Sequence, residues 1–131
     1  MATPRVTGLG GIFFKAKNPT KLGSWYKKHL GLPVEVWGGL AFPWREAKDP
    51  KKKGSTVWSP FPADTKYFGS TKQVHMVNYR VANLKKVLAA LRREGVWIDP
   101  KGLQSSEYGK FAWIKDGEGN RIELWEPPKG S

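Results

Sequence analysis

Apolar side chains recur every three or four residues in two stretches of the chain, and this spacing predicts two amphipathic helices. Asn18 and Pro19 open the first helix as its N-cap and first turn, and Gly31 ends it. Asn83 is the N-cap of the second helix, which ends at Gly95. The residues predicted to form the buried stripes are Leu22, Trp25, Tyr26, His29 and Leu30 in the first helix, and Leu84, Val87, Leu88 and Leu91 in the second.

Short runs of β-branched and aromatic residues predict strands before and after each helix. The predicted strands are 11–16, 34–37, 40–45, 55–59, 74–81 and 96–98, followed by a hairpin within 111–128. Because the order strand, helix, strands occurs twice, we predict an α+β fold of two βαβββ modules, 9–60 and 73–127. The length of 131 residues suits a single domain, 1–131, in which 60–72 is a crossing loop.

The final hairpin has the clearest register. A polar turn with two glycines, Asp116–Asn120, separates its arms. The alternation of side chains then places Trp113 opposite Glu123 and Phe111 opposite Trp125. A carboxylate among indole rings is costly unless it is paired, hydrogen-bonded, metal-bound or partly hydrated. Glu123 is therefore the main candidate for a catalytic residue.

Strand alternation also predicts which side chains face away from the helices, on the open face of a curved sheet. Aromatic walls with a few convergent polar groups are the usual composition of a small-molecule site. The predicted ligand-binding residues are Phe13, Lys15, Trp58, Met76, Asn78, Arg80, Trp113 and Trp125. Ordinary core packing is the alternative for the three tryptophans. Tyr67, Phe68 and Tyr108 are predicted to cover this pocket from loops.

The residues leave three roles open for Glu123. These roles are an ion pair with Arg80 or Lys15, a metal-free general base or polar anchor, and a metal ligand. Aromatic surroundings raise the pKa of a carboxyl group and a neighbouring arginine lowers it, so these two effects compete at Glu123.

Composition narrows the function classes. The hydrophobic content of 39% and seven tryptophans indicate a globular protein, and the lack of cysteine excludes thiol chemistry. No apolar run approaches the roughly 20 residues of a membrane helix, and the start of the sequence lacks a signal-peptide pattern. We therefore expect a cytoplasmic protein without a membrane partner.

The formal charge of +12 admits a nucleic-acid or acidic partner. A solvated, lysine-rich surface explains it better, because the densest basic run, 48–54, resembles an exposed loop without interleaved aromatic residues. Nucleic-acid binding is thus not expected. The same charge favours a neutral or anionic aromatic ligand over a cationic one.

Three segments, KNPTKLGSWYKKHLGL, MVNYRVANLKKVLAALRREGV and FAWIKDGEGNRIELWEPP, closely resemble the vicinal oxygen chelate superfamily. This superfamily includes glyoxalases, bleomycin-resistance proteins and extradiol dioxygenases. The resemblance implies paired βαβββ modules that form a cupped mixed sheet, usually in a homodimer, with the site inside the cup.

Glyoxalase-type members bind a divalent metal through one residue from each of four strands. The resemblance places these positions at Gly11, Trp58, Met76 and Glu123, of which only Glu123 is a suitable ligand. Catalytic metal sites typically need three protein ligands, so no metal cofactor is expected unless a bulge turns His75 inward. The resemblance therefore predicts a metal-free protein that binds small molecules. The alternative is a glyoxalase-type lyase or related enzyme that uses Glu123 with or without a divalent metal.

Overall fold

The protein is built on one seven-stranded mixed sheet with two helices against the same face. The computed structural model describes residues 5–131, so the first four residues of the predicted domain lie outside the described residues. The strands are β1 (Val6–Ala16), β2 (Leu40–Arg45), β3 (Lys53–Pro62), β4 (His75–Val81), β5 (Gln104–Ser106), β6 (Gly109–Lys115) and β7 (Arg121–Glu126), and the helices are α1 (Pro19–Leu30) and α2 (Leu84–Arg93).

The strands lie in the order β2-β3-β1-β4-β7-β6-β5. The pairs β1–β3 and β4–β7 are parallel, and the other neighbouring pairs are antiparallel. This arrangement confirms the predicted α+β class and mixed sheet. The long crossing loop between β3 and β4 connects the two halves of the sheet.

The helix caps follow from the sequence. The Asn18 side chain accepts a hydrogen bond from the backbone N–H of Lys21 at 3.0 Å, and that of Asn83 accepts one from Lys86 at 3.1 Å. Gly31 ends α1 in the left-handed conformation, with φ of 68°. Neither helix in residues 5–131 is long and apolar enough to cross a membrane.

The two helices pack unequally. Leu84 and Leu88 of α2 are buried with Val81, Ala112 and Leu124, which confirms the predicted stripe of that helix. In α1, by contrast, the exposed fractions of Trp25 and Leu30 are 50% and 61%. The apolar stripe of α1 is therefore only partly covered by the sheet.

The predicted strand 34–37 is wrong, because this stretch forms a tight turn. The backbone N–H of Gly38 donates to the carbonyl of Glu35 at 2.9 Å, and that of Glu35 donates to Gly39 at 2.8 Å. Gly38 has a φ of 101°, which favours glycine and suits a turn. The first half of the chain thus has two strands after its helix.

The predicted strand 96–98 is also wrong, since it is reduced to a single bridge between Ile98 and Ile114. The short edge strand β5 forms instead, and it pairs with the start of β6. The hairpin register is confirmed: Trp113 lies opposite Glu123 and Phe111 opposite Trp125.

Candidate functional site

A cavity of about 520 Å³ lies on the sheet face opposite the helices, and we call it the open-face cavity. Most of its walls are aromatic or apolar, and the buried polar side chains Asn78 and Glu123 lie together on its floor. The lining residues are Gly10, Phe13, Val57, Phe61, Tyr67, Asn78, Glu107, Tyr108, Phe111, Glu123, Trp125, Pro128 and Ser131. This size and composition are typical of a small-molecule site.

Parallel aromatic pairs form two of the walls. The ring centroids of Phe111 and Trp125 are 6.1 Å apart, and the two rings are nearly parallel, at 6°. The rings of Phe61 and Tyr67 are 5.5 Å apart at 12°. The indole N–H of Trp125 donates to the carbonyl of Tyr108 at 2.8 Å, which fixes the ring against the β5–β6 turn. The cavity therefore presents flat, fixed surfaces on which an aromatic ligand can stack.

The floor is organised by the buried carboxyl group of Glu123, which is 2% exposed. The indole N–H of Trp113 donates to its Oε2 at 2.9 Å, and the side-chain amide of Asn78 donates to its Oε1 at 2.5 Å. The hydroxyl group of Tyr67 also donates to Oε2. The register of β4, β7 and β6 places Asn78, Glu123 and Trp113 side by side, so the sheet itself assembles this group.

The crossing loop is held so that Tyr67 reaches the floor. Gln73 bonds to the backbone N–H and carbonyl of Arg121 at 2.8 and 2.9 Å, which ties the loop to the start of β7. Phe68 is fully buried beneath the loop, and Gly69 closes a turn at φ of 83°. Tyr67 is therefore a fixed part of the cavity wall.

Burial governs the acid–base behaviour of the floor. It raises the pKa of Glu123 above the usual range, although the donors from Tyr67, Asn78 and Trp113 oppose this shift. Burial, followed by the charge of Glu123, also raises the pKa of Tyr67. Tyr67 thus remains a hydrogen-bond donor, while Glu123 holds a proton to a higher pH than an exposed glutamate.

The ion pair of Glu123 with Arg80 or Lys15, one of the three roles left open by the sequence, does not form in residues 5–131. Lys15 donates to the carbonyls of Ser70 and Thr71 at 3.1 and 3.3 Å, and so holds the crossing loop. The guanidinium of Arg80 lies over the rings of Trp44 and Trp125, at 5.3 and 5.0 Å, and forms no ion pair with Glu123. Hydrogen bonds from neutral donors therefore satisfy the carboxyl group.

The structure brings some of the predicted site residues together and separates others. Phe13, Asn78, Glu123 and Trp125 line the open-face cavity. Met76 and Trp113 lie behind the wall in a buried cluster with Phe13 and Phe68.

The prediction that Trp58 lies on the open face of the sheet is wrong. It pairs with Ile12 of β1, so its side chain lies on the helix-covered face. There its ring contacts Phe14 and Tyr26 at centroid distances of 5.3 and 5.0 Å. Trp58 therefore packs between the sheet and α1, which agrees with the alternative of ordinary core packing.

Sequence reasoning missed Val57 and Phe61, which occupy the β3 positions expected for Trp58. Val57 and Phe61 alternate with Trp58 along the strand, so they lie on the opposite face of the sheet. The register between β1 and β3 decides which of these two faces lines the cavity. Tyr67 and Tyr108 were expected to cover the pocket, and both line it. The hydrogen bond of Tyr67 to Glu123 was not foreseen. Phe68 is a core residue instead of a cover.

The residues present do not fit the metal site that the superfamily resemblance implies. Both oxygens of Glu123 already accept hydrogen bonds, from the side chains of Tyr67, Asn78 and Trp113. Gly11 has no side chain and Trp58 faces the other side of the sheet. His75 pairs with Phe14 on the helix-covered face and is exposed, so it does not turn inward. Within residues 5–131, no three histidine, cysteine or acidic side chains are grouped as metal ligands.

Solved structures of similar shape exist, although no protein-family model and no curated protein sequence matches the chain. A methylmalonyl-CoA epimerase from Mycobacterium tuberculosis superposes with a TM-score of 0.62 at 20% identity, covering 98% of this chain and 93% of that one. A Streptomyces coelicolor methylmalonyl-CoA epimerase in complex with 2-nitronate-propionyl-CoA superposes at 0.69 with 16% identity, covering 93% and 98%.

A third structure, described as an NAD-dependent benzaldehyde dehydrogenase from Legionella pneumophila, superposes with a TM-score of 0.59 at 13% identity, covering 90% of this chain and 98% of that one. Methylmalonyl-CoA epimerases belong to the vicinal oxygen chelate superfamily. The comparisons therefore show that the chain shares the fold of these proteins. At these identities, they carry no information on activity.

The buried carboxyl group predicts a pH-dependent stability that Glu123→Gln removes. An unfolded glutamate titrates near pH 4.5 and Glu123 titrates higher in the folded state, so its stabilising contribution is present below pH 4.5 and lost as pH rises through the folded pKa. Over that window the wild type should lose up to about 1.4 kcal/mol per pH unit relative to Glu123→Gln. Urea unfolding at several pH values measures this difference.

Glu107→Gln, at the exposed rim of the same cavity, is the matched control and should follow the wild type. Parallel pH profiles for the wild type and Glu123→Gln would contradict the raised pKa.

Proposed function

We propose that the protein binds a flat, neutral or anionic aromatic molecule in the open-face cavity, without a metal. The observation that carries this proposal is the combination of parallel aromatic walls with a single polar floor. Apolar walls supply affinity and a few placed polar groups supply orientation in most small-molecule sites. The Streptomyces coelicolor complex supports the proposal, since a protein of similar fold holds a small molecule.

The floor favours ligands that carry one hydrogen-bond donor. The Oδ1 atom of Asn78 is buried and has no hydrogen-bond partner among the described residues. A buried acceptor left unsatisfied costs about 1–3 kcal/mol. Asn78 lines the cavity, so an N–H or O–H group of a ligand can satisfy this oxygen.

Phenylnaphthylamine is a suitable probe, because it is flat, neutral and fluorescent and carries one N–H group. We expect one molecule to bind per chain, and Val57→Trp to weaken binding at least about tenfold, because the new ring fills the cavity. Val36→Trp is the matched control, since Val36 is fully exposed on the turn after α1. Fluorescence titration measures both.

The phenyl naphthyl ether, which lacks the N–H group, should bind more weakly than the amine. Unchanged binding in Val57→Trp would place the probe elsewhere and contradict the proposal.

A second candidate is proton transfer by a glyoxalase-type lyase or related enzyme, with Glu123 as general base. The observation in its favour is a carboxyl group of raised pKa that faces a cavity beside the hydroxyl group of Tyr67. A base of this kind can take a proton from carbon, and the phenol can donate to the oxygen on which negative charge develops. No metal takes part in this candidate.

Hydrogen exchange separates the two candidates. The test compound is methylmalonyl-CoA in deuterium oxide, and the reaction followed is exchange of the proton on the carbon next to its thioester. If the protein only binds small molecules, this proton should exchange no faster than in buffer alone. NMR measures the exchange. Exchange that is lost in Glu123→Gln and kept in Glu107→Gln would replace the binding function by the enzymatic one.

We also propose that the chain forms a homodimer through the exposed side of α1. Trp25 contacts Tyr26, and Tyr26 contacts Trp58, so an aromatic strip runs from the helix onto the sheet. Large exposed apolar patches are typical of interfaces. Light scattering at micromolar concentration should therefore give twice the chain mass of 14.7 kDa.

Replacing both Trp25 and Leu30 by serine should shift the particle towards a single chain, whereas Lys28→Gln on the same helix should not. A wild type of one chain mass would contradict the dimer.

A further inference from the structure

A partly buried ion pair adjoins the floor of the open-face cavity. Nη1 of Arg121 donates to Oδ2 of Asp99 at 3.0 Å, and the two side chains are 13% and 14% exposed. The other ion pairs in residues 5–131 join more exposed side chains. Arg121 precedes Glu123 by two residues on β7, so both side chains lie on the same face of the sheet. The ion pair is therefore placed to act on the group of donors around Glu123.

Backbone hydrogen bonds hold Asp99 in place. Its N–H donates to the carbonyl of Trp113 at 2.8 Å. Its Oδ1 accepts from the backbone N–H of Lys101 at 2.9 Å, and its Oδ2 accepts from Arg121. Because both the backbone and the carboxylate of Asp99 are fixed, it holds the guanidinium of Arg121 in one position.

The Arg121 side chain contacts two parts of the molecule that supply donors to Glu123. Its guanidinium lies over the ring of Trp113, 5.6 Å from the centroid, and the indole N–H of Trp113 donates to Glu123. Its stem meets the crossing loop at Gly69, where a Cβ atom would lie 2.9 Å from Cδ of Arg121. Gly69 ends a turn closed by a 3.0 Å hydrogen bond to the carbonyl three residues earlier, and Tyr67 lies within that turn. Arg121 therefore supports both Trp113 and the turn that brings Tyr67 to the floor.

The ion pair contributes little to net stability. Nε of Arg121 is buried and has no hydrogen-bond partner among the described residues. An unsatisfied buried donor opposes folding, and desolvation offsets much of the attraction within a partly buried ion pair. Removing both charges together leaves neither group alone in the protein, so such a variant should still fold.

We propose that Arg121, held by Asp99, is a positioning residue of the open-face cavity, which keeps Trp113 and Tyr67 in place as donors to Glu123. The inference rests on the proposed binding function and adds to it the side chains that set the shape of the binding site. The ring of Tyr67 is also part of an aromatic wall. Loss of this support therefore loosens both the floor and that wall, and a preorganised site binds more tightly than a loose one.

The first test replaces the ion pair without leaving a lone charge, by Arg121→Met together with Asp99→Asn. Phenylnaphthylamine should bind this variant about tenfold more weakly than the wild type, because the floor and the wall must then be ordered on binding. Arg5→Met together with Glu94→Gln is the matched control. It removes an ion pair whose side chains are 39% and 50% exposed, and it should bind like the wild type. Fluorescence titration measures these affinities.

The second test separates the crossing loop from Arg121 and keeps the ion pair. In Gly69→Ala the added methyl group meets Cδ of Arg121, so the turn that carries Tyr67 must shift. Gly95→Ala is the matched control, because Gly95 also has a positive φ, 76° compared with 83°, but a Cβ atom there would meet no atom within 4 Å. Phenylnaphthylamine should bind Gly69→Ala more weakly than Gly95→Ala.

Hydrogen exchange of the Trp113 indole N–H separates positioning from a general loss of stability. In both test variants, this proton should exchange at least about tenfold faster relative to the backbone amide of Leu88 in the core, because the opening is local. Global destabilisation alone speeds both exchanges by the same factor. NMR in deuterium oxide measures the two rates, and Gly69→Ala carries the test alone if the paired variant unfolds.

An unchanged ratio of exchange rates in the test variants, or a change of the same size in their controls, would overturn the role of Arg121. The exchange measurement needs no ligand. Failure of phenylnaphthylamine to bind the wild type would therefore refute the proposed function alone, and the two failures are distinguishable.

Discussion

The hydrogen bonds that compensate the burial of Glu123 are the constraint on which the rest of the site depends. A carboxyl group this deep in an apolar sheet is tolerated only when donors surround it. Asn78 and Trp113 come from the neighbouring strands, and Tyr67 comes from the crossing loop 56 residues earlier in the chain. One side chain thus connects two neighbouring strands and the crossing loop at the floor of the open-face cavity.

The distribution of positive charge follows from the same cost of burying charged groups. The chain carries a formal charge of +12, yet no cation lines the open-face cavity among the described residues. Lys15 donates to carbonyl groups of the crossing loop, and the guanidinium of Arg80 lies over the rings of Trp44 and Trp125. The cavity is therefore mostly apolar with a hydrogen-bonding floor, and the positive charge lies outside its lining. A net charge alone did not indicate this separation.

The sequence predicted what local pattern controls. The Asp-Gly-Glu-Gly-Asn turn and the alternation of its arms give the register that puts Trp113 opposite Glu123, and helical spacing gives the buried stripe of α2. Alternation along β3 places Trp58 and Val57 on opposite faces of the sheet. Which of the two faces the cavity depends on the parallel pairing of β3 with β1, which local pattern does not reveal. The partner of Glu123 in the crossing loop depends on a long-range contact, which no local pattern reveals.

The indole proton of Trp113 tests the central claim most directly, because it donates to Glu123 at the cavity floor. In NMR spectra of the indole N–H groups, Trp113→Phe identifies this signal among those of the seven tryptophans. The account predicts that it shifts as Glu123 titrates above pH 4.5, that Glu123→Gln removes this shift, and that phenylnaphthylamine moves the signal. A Trp113 signal that responds neither to pH nor to the probe would contradict the account.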